Sequence, residues 1–351
     1  MKIAAIIQHL EQVAPPKLQE SYDNAGLIVG DAQAEATGAV LCLDSTEAII
    51  DEAIKLGYNL VIAHHPIVFR GLKRFNGRSY IERVVMKAIK HDIAIYAIHT
   101  NLDNVYYNGV NAKIAEKIGL IDTQILAPKQ THKKLFTFVP TTHSDAVRNA
   151  LFKAGGGDLN QHQHLSYATV GAASQNGEGM AQVKLEVVFP TYQQGKILAA
   201  LYQAHPATHP VYDIVTIENT NTWVGSGMVG NLKKSMTIKA FLQHLKQSMD
   251  ISCIKHTASL GNKIKRVALC GGAGGFLLKN AMAQKADIFI TADYKYHEFF
   301  DADGRIIIAD IGHYESEQYT IELLDEIITK KFRNFATHCT KVNTNPVQYF
   351  V

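Results

Sequence analysis

Cysteine is scarce in this sequence. The four residues, Cys42, Cys253, Cys270 and Cys339, show no C-x-x-C spacing. They offer no disulfide framework, and they read as reduced thiols of a cytoplasmic protein. Long apolar runs are missing too. No stretch approaches the ~18 residues of a membrane-spanning helix. The apolar start around Ile3 to Ile7 is too short for a secretory signal and runs straight into polar residues. No membrane partner is expected. Charge of either sign is also in short supply, with a net of +3 when histidine is neutral. That excess is too small to argue for nucleic acid.

What is present is an ordinary globular composition, 47% hydrophobic and 19% charged, in a chain of 351 residues. The length suits two or three domains. Histidine is the informative residue, with 16 copies. His162, His164, His205 and His209 sit in polar contexts that predict solvent exposure. His64 and His65 are different. They end the apolar run Leu60 to Ala63, which Pro66 stops, as in a central strand of an α/β sheet. Such sheets place ligands beyond the carboxyl ends of their strands. Successive strand residues face opposite sides, so the two imidazoles suit two ions, or one ligand and one structural residue, or a loop without metal.

In order, the pattern predicts a helix over 3–13, a strand over 40–43, a helix over 46–56 ending at Gly57, and the strand that delivers His64 and His65. Arg70, Lys73, Arg74 and Arg78 follow in a loop, either simply solvated or a rim that attracts phosphate. A helix over 79–91 leads to the strand 93–98, which delivers His99 and Asp103 to the same sheet edge. A helix over 109–118 closes this half at Gly119. Residues 126–230 read β-α-β-β-α-β, the ferredoxin-like pattern. The α/β pattern then resumes. It has a helix over 236–248, a strand over 251–256, a strand over 266–269, the glycine loop 271–275, a helix over 275–285 and a strand over 287–291. The glycine loop resembles an anion-binding turn, with tight strand–helix packing as the alternative. The strand 305–311 comes last and opens a helix over 315–330, and His313 and Glu317 share one helical face. Three segments result: 1–125 and 231–351 as two similar α/β halves of one metal-binding domain, and 126–230 as an inserted α+β domain.

His64, His65, Asp103, His313 and Glu317 thus meet at strand ends without any thiolate. Imidazole and carboxylate suit zinc, iron, manganese or cobalt. A bridging carboxylate would let five side chains serve two ions, and two dications against two carboxylates leave a formal charge of +2. That balance favours an anionic substrate and hydrolysis.

The ordered motifs A-H-H-P-I-V-F (63–69), H-T-N-L-D-N (99–104), G-G-A-G-G (271–275), T-A-D-Y-K-Y-H (291–297) and G-H-Y-E-S-E (312–317), with Y-D-N-A-G-L-I-V-G (22–30), resemble the Nif-three-like family of dinuclear metal-centre hexameric proteins. Its members are also known as GTP cyclohydrolase I type 2 homologues. Residues 126–230 resemble the PII/CutA-like insert of its longer members. The resemblance implies two divalent ions per subunit, with His65 and Asp103 on one, His64 and His313 on the other, and Glu317 bridging. It further implies a toroidal homohexamer, and it makes His297 a proton donor or substrate contact. Ala292 stands where the family often has glycine. The implied activity is hydrolytic attack on C8 of guanine in a nucleotide. The alternatives are a phosphatase or phosphodiesterase, or a non-catalytic regulatory or scaffold protein that meets a protein partner through its insert.

Overall fold

A computed structural model describes residues 1–159, 162–175, 178–261 and 263–350. The chain divides into two compact units, Met1–Ala127 with Gly225–Val351, and Pro128–Val224. Its strands are β1 (Gly26–Val29), β2 (Ala39–Cys42), β3 (Leu60–Ala63), β4 (Ala94–Ala97), β5 (Leu120–Lys129), β6 (His132–Pro140), β7 (Ser166–Gln175), β8 (Glu178–Pro190), β9 (Tyr212–Thr216), β10 (Asn221–Met236), β11 (Lys255–His256), β12 (Ile264–Leu269), β13 (Ile288–Thr291), β14 (Ile307–Asp310) and β15 (Thr337–Cys339). Among the described residues, no helix is long and apolar enough to cross a membrane.

The larger unit holds two sheets, ordered β1-β4-β3-β2-β15 and β11-β14-β13-β12-β10-β5. Each is built on three adjacent parallel strands, β2-β3-β4 and β12-β13-β14, with a short antiparallel strand beyond the last. β2, β3, β4, β13 and β14 are buried along their whole length, as strands covered on both faces must be. The flanking helices stop and start where their sequences direct. Helix Glu47–Leu56 begins with the Thr46 hydroxyl accepting from the Ile49 N–H and ends at left-handed Gly57. Helix Tyr80–Lys90 is capped in the same way by Ser79.

The two halves exchange strands. β5, from the first half, joins the second sheet, and β15, near the C-terminus, pairs in parallel with β2 of the first. β14 is therefore not the last strand. The expected strand 251–256 shrinks to Lys255–His256. The expected helix 275–285 is a 3-10 turn, Gly275–Leu277, followed by helix Leu278–Ala283. The expected helix 315–330 is two helices, His313–Glu317 and Thr320–Lys331. β10 runs through Gly225, Gly227 and Gly230, residues that ordinarily weaken a strand. Gly227 has φ +66°, and a Cβ there would lie 2.8 Å from Leu277.

The second unit runs β6, helix Ser144–Lys153, β7, β8, helix Gln194–Ala204, β9. Its sheet has the order β7-β8-β6-β9, with antiparallel neighbours throughout. Its core includes Leu135, Leu151, Leu185, Phe189, Ile197 and Leu201. His162, His164 and His209 are exposed. His205 is half-buried, with Nε2 3.0 Å from the Phe138 carbonyl.

Candidate metal centre

β3 ends one residue before His64, so the chain leaves the sheet carrying two imidazoles. β4 leads into the four-residue helix Thr100–Asp103, which brings Asp103 to the same edge. From the other half, helix His313–Glu317 places His313 and Glu317 one turn apart on one face. All five side chains meet. Glu317 Oε2 lies 3.0 Å from His65 Nε2 and 3.2 Å from His313 Nε2, while Oε1 lies 3.8 Å from His64 Nε2. His64 Nε2 is 3.6 Å from Asp103 Oδ1, and the Nε2 atoms of His65 and His313 are 3.4 Å apart.

The donor sets differ from the expected partition. The distances group His64 with Asp103 and Glu317, His65 with His313 and Glu317, and His64 with His65 and His99. The reason is local. Asp103 arrives from β4, beside β3, on the buried side where His64 points. His65 turns to the opposite side, toward the helix that carries His313.

Each ring is wired through Nδ1. His64 Nδ1 donates to the Ile98 carbonyl at 2.8 Å, His65 Nδ1 to Asp44 at 2.8 Å, and His313 Nδ1 to Asp293 at 2.7 Å. Such partners fix the tautomer and turn Nε2 toward the centre. Burial works against charge on His65, but its bonds to Asp44 and Glu317 outweigh that and raise it to about 10. Burial likewise opposes charge on His313, yet Glu317 and Asp293 raise it to about 9. Burial pulls His64 down, so its ring is neutral. Burial and the neighbouring Glu317 push Asp103 well above the ordinary carboxylate range. Burial also penalises Glu317, but three imidazoles keep it ionised.

His64 Nε2 and Asp103 Oδ1 are buried and have no hydrogen-bond partner. Buried polar atoms are ordinarily paired, and an unpaired lone pair facing an unpaired carboxylate oxygen is what a cation would resolve. The residues therefore fit a metal centre of nitrogen and oxygen donors, and the set suits zinc, iron or manganese.

A cavity of about 1080 Å³ opens over these groups. Its rim carries the aromatic rings of Tyr22, Phe69, Tyr80 and Phe276. Seven carboxylates and a single lysine, Lys255, are among its lining residues, so two dications would leave it net negative rather than at +2. This lining disfavours an anionic group beside the ions, contrary to the expectation from the five ligands alone. His297 is not among the lining residues. It is exposed on the 3-10 helix Tyr296–Ala302, because the chain turns away at Asp293, whose φ is +58°. The glycine loop is not an anion cradle. The N–H groups of Gly271, Gly272 and Gly274 donate to Asn111, Ser316 and Thr291. Its role is close approach: a Cβ on Gly272, at φ +60°, would stand 2.5 Å from Glu317 Oε1.

Residues 1–346 match the DUF34/NIF3 (NGG1p interacting factor 3) family. The chain belongs to the DUF34/NIF3 family. Proteins named GTP cyclohydrolase 1 type 2 homolog resemble it along nearly their whole length. The one from Halalkalibacterium halodurans is 34% identical, covering 99% of this chain and 100% of that protein, and the one from Bacillus subtilis is 34% identical, covering 98% and 97%. A crystal structure of a Bacillus cereus protein related to NIF3 superposes with a TM-score of 0.84 at 34% identity, covering 100% of this chain and 99% of that one.

Sequence reasoning missed the carboxylates of this DUF34/NIF3 site that stand behind the imidazoles. Asp44 follows β2 and Asp293 follows β13, so each reaches the same sheet edge as the histidine it orients. A lone acid just past a buried strand was the available signal. Asp23, in the Tyr22–Asn24 turn, accepts from His99 Nδ1 at 2.8 Å, and nothing local marks that pairing.

Proposed function

We propose that this protein is a hydrolase with a dinuclear metal centre that acts on a nucleotide and opens the imidazole ring of guanine, the reaction class suggested by the names of its relatives. The observation that carries the reading is Glu317, whose two oxygens face two different donor sets. Bound there, two divalent ions would supply Lewis acidity and bring the pKa of a water toward neutrality.

The chain's own residues do the rest. Asp44, Asp293 and the Ile98 carbonyl keep three imidazoles in the tautomer that presents Nε2. Tyr22, Phe69 and Phe276 offer flat faces to a planar base at the mouth. The carboxylate-rich lining repels phosphate, so the base points inward and the phosphates stay at the rim. There Arg70, Lys73, Arg74 and Arg78 lie in the loop between Phe69 and Tyr80, two residues that line the cavity. The same proposal includes a homohexamer in the cytoplasm. It also includes a ferredoxin-like reading of residues 128–224, supported by their element order and antiparallel sheet, as a surface for a protein partner.

The test is incubation of zinc-, iron- or manganese-loaded protein with GTP, followed by chromatography and loss of the guanine absorption band. Turnover that disappears in Glu317→Gln is expected. Phosphate release with the base intact would transfer the assignment to phosphoester hydrolysis. No change in any nucleotide, with two ions bound, would remove the enzyme reading.

A further inference from the structure

The C-terminal segment lies across the cavity. Beyond β15 the backbone keeps to the line of β2, with the Thr340 N–H donating to the Leu41 carbonyl at 3.0 Å. His338 Nε2 lies 3.1 Å from Glu52 Oε1, and the Thr340 hydroxyl donates to the other oxygen of that carboxylate. Residues 341–350 form no helix or strand, yet Thr344, Asn345, Pro346, Val347 and Tyr349 line the cavity. Two neighbours on this strap reach acids from the two α/β halves. The Thr344 hydroxyl donates to Asp44 Oδ2 at 2.8 Å, and the Asn345 amide donates to Glu315 Oε1 at 2.8 Å. Asp44 is the acid whose other oxygen accepts from His65 Nδ1. Glu315 stands inside the helix His313–Glu317, which carries two of the candidate ligands.

We propose that Thr344 and Asn345 are positioning residues that fasten the two halves of the centre to each other, Thr344 acting on His65 through Asp44, and Asn345 on the helix of His313 and Glu317 through Glu315; this rests on the metal-binding reading above. The Asp44 side chain is 37% exposed, so packing alone does not hold it. A carboxylate bonded only to His65 is free to turn about its last torsion. The Thr344 bond engages its second oxygen, which fixes the plane of the acid and with it the tilt of the ring. The strap itself is preset. The Asn345 N–H donates to Asn343 Oδ1 at 2.9 Å, and Asn345 Oδ1 accepts from the Val347 N–H at 3.0 Å. With its oxygen so engaged, the amide turns its NH₂ group to Glu315. The Tyr349 hydroxyl stands beside the same buried acid. A tail that only covered apolar surface would not need to seat two consecutive polar side chains on one acid from each half.

Thr344→Val keeps the shape of threonine and removes the donor, and Thr344→Ser keeps the donor. Ion-free protein is titrated with Co²⁺, followed by visible d–d absorption. Asp44→Ala removes the direct partner of His65 and should lower the affinity for one ion about tenfold. Thr344→Val, one bond further out, should lower it about threefold and shift the absorption band, and Thr344→Ser should restore both. On the Asp44→Ala background, Thr344→Val should change the affinity by less than about twofold, because the route to His65 is already cut. Asn345→Asp turns an acceptor toward Glu315 and should weaken binding to the same extent with or without Asp44. Thr344→Val or Asn345→Asp with wild-type affinity and spectrum would overturn the role given to that residue. Thr344→Val that costs as much on the Asp44→Ala background as it does alone would overturn its action through Asp44, since general loosening of the fold gives that result. Wild-type protein that takes up no Co²⁺ would overturn the metal-binding reading, and this inference with it.

Discussion

Replacing Asp103 with asparagine should make the ion-free protein more stable and the ion-loaded protein less so. Asp103 Oδ1 is buried without a partner, and burial together with Glu317 pushes its carboxyl well above the ordinary range. An acid whose folded pKa is raised stabilises the fold only at low pH. As pH climbs from the unfolded value of 3.8 through the raised folded value, the unfolded chain releases its proton first and stability falls. Asparagine has nearly the same shape and no charge. It should match wild type near pH 4 and exceed it at pH 8, by about 1.4 kcal/mol for each unit by which burial and Glu317 raise the carboxyl. In a protein of this size that is a melting-temperature rise of several degrees. With zinc at a hundredfold excess over its Kd, wild type gains about 2.7 kcal/mol per site, whereas the variant, lacking one oxygen donor, gains much less. Scanning calorimetry at pH 4.5 and 8.0, in chelator and in excess zinc, shows the crossing directly. Asp103→Asn that melts lower than wild type in chelator at pH 8, or that gains as much from zinc, would refute the reasoning.

Two further outcomes follow from the same geometry. Gly272→Ala should destabilise by about 1–3 kcal/mol and weaken ion binding, since the methyl collides with Glu317 Oε1 at 2.5 Å and the backbone sits at φ +60°; urea denaturation and Zn²⁺ competition measure both. Asp23 is depressed to about 2 from 3.8, with burial opposing the shift and His99 and Thr100 outweighing it. Its contribution, roughly 2 kcal/mol, is complete above pH 3.8 and is lost as pH falls through about 2. Asp23→Asn should therefore cost that amount at pH 7 and almost nothing near pH 2, read from urea midpoints.

Much of this was legible because local chemistry and global fold agree. The apolar run Leu60 to Ala63, the glycine stops at Gly57 and Gly119, and the four-residue spacing of His313 and Glu317 all express themselves where short-range physics puts them. The five ligand candidates converge for the same reason, each standing at a strand end. What escaped was non-local. β15 is three residues that earn a strand only by lying against β2, and β10 persists through its glycines because neighbouring side chains need the space. The split of the donors between two sets depends on which side of β3 each imidazole faces relative to partners far away in sequence. The acids behind the rings carry a local signal, but their pairing with the rings is non-local: Asp44 lies 21 residues from His65 and Asp293 lies 20 from His313.

The pairing of β15 with β2 has a consequence for biosynthesis. Ala39 to Leu41 emerge from the ribosome about three hundred positions ahead of Thr337 to Cys339, their partners in the ladder. At ordinary translation rates that interval is roughly 15–60 s. Throughout it, a fully apolar strand edge waits without its neighbour and is open to pairing with other nascent chains. Thr344 and Asn345, which bond Asp44 and Glu315 at the cavity wall, arrive later still. Slower translation lengthens that exposure, so the yield of native protein should depend on elongation rate and on chaperone supply more than the stability of the finished fold would suggest.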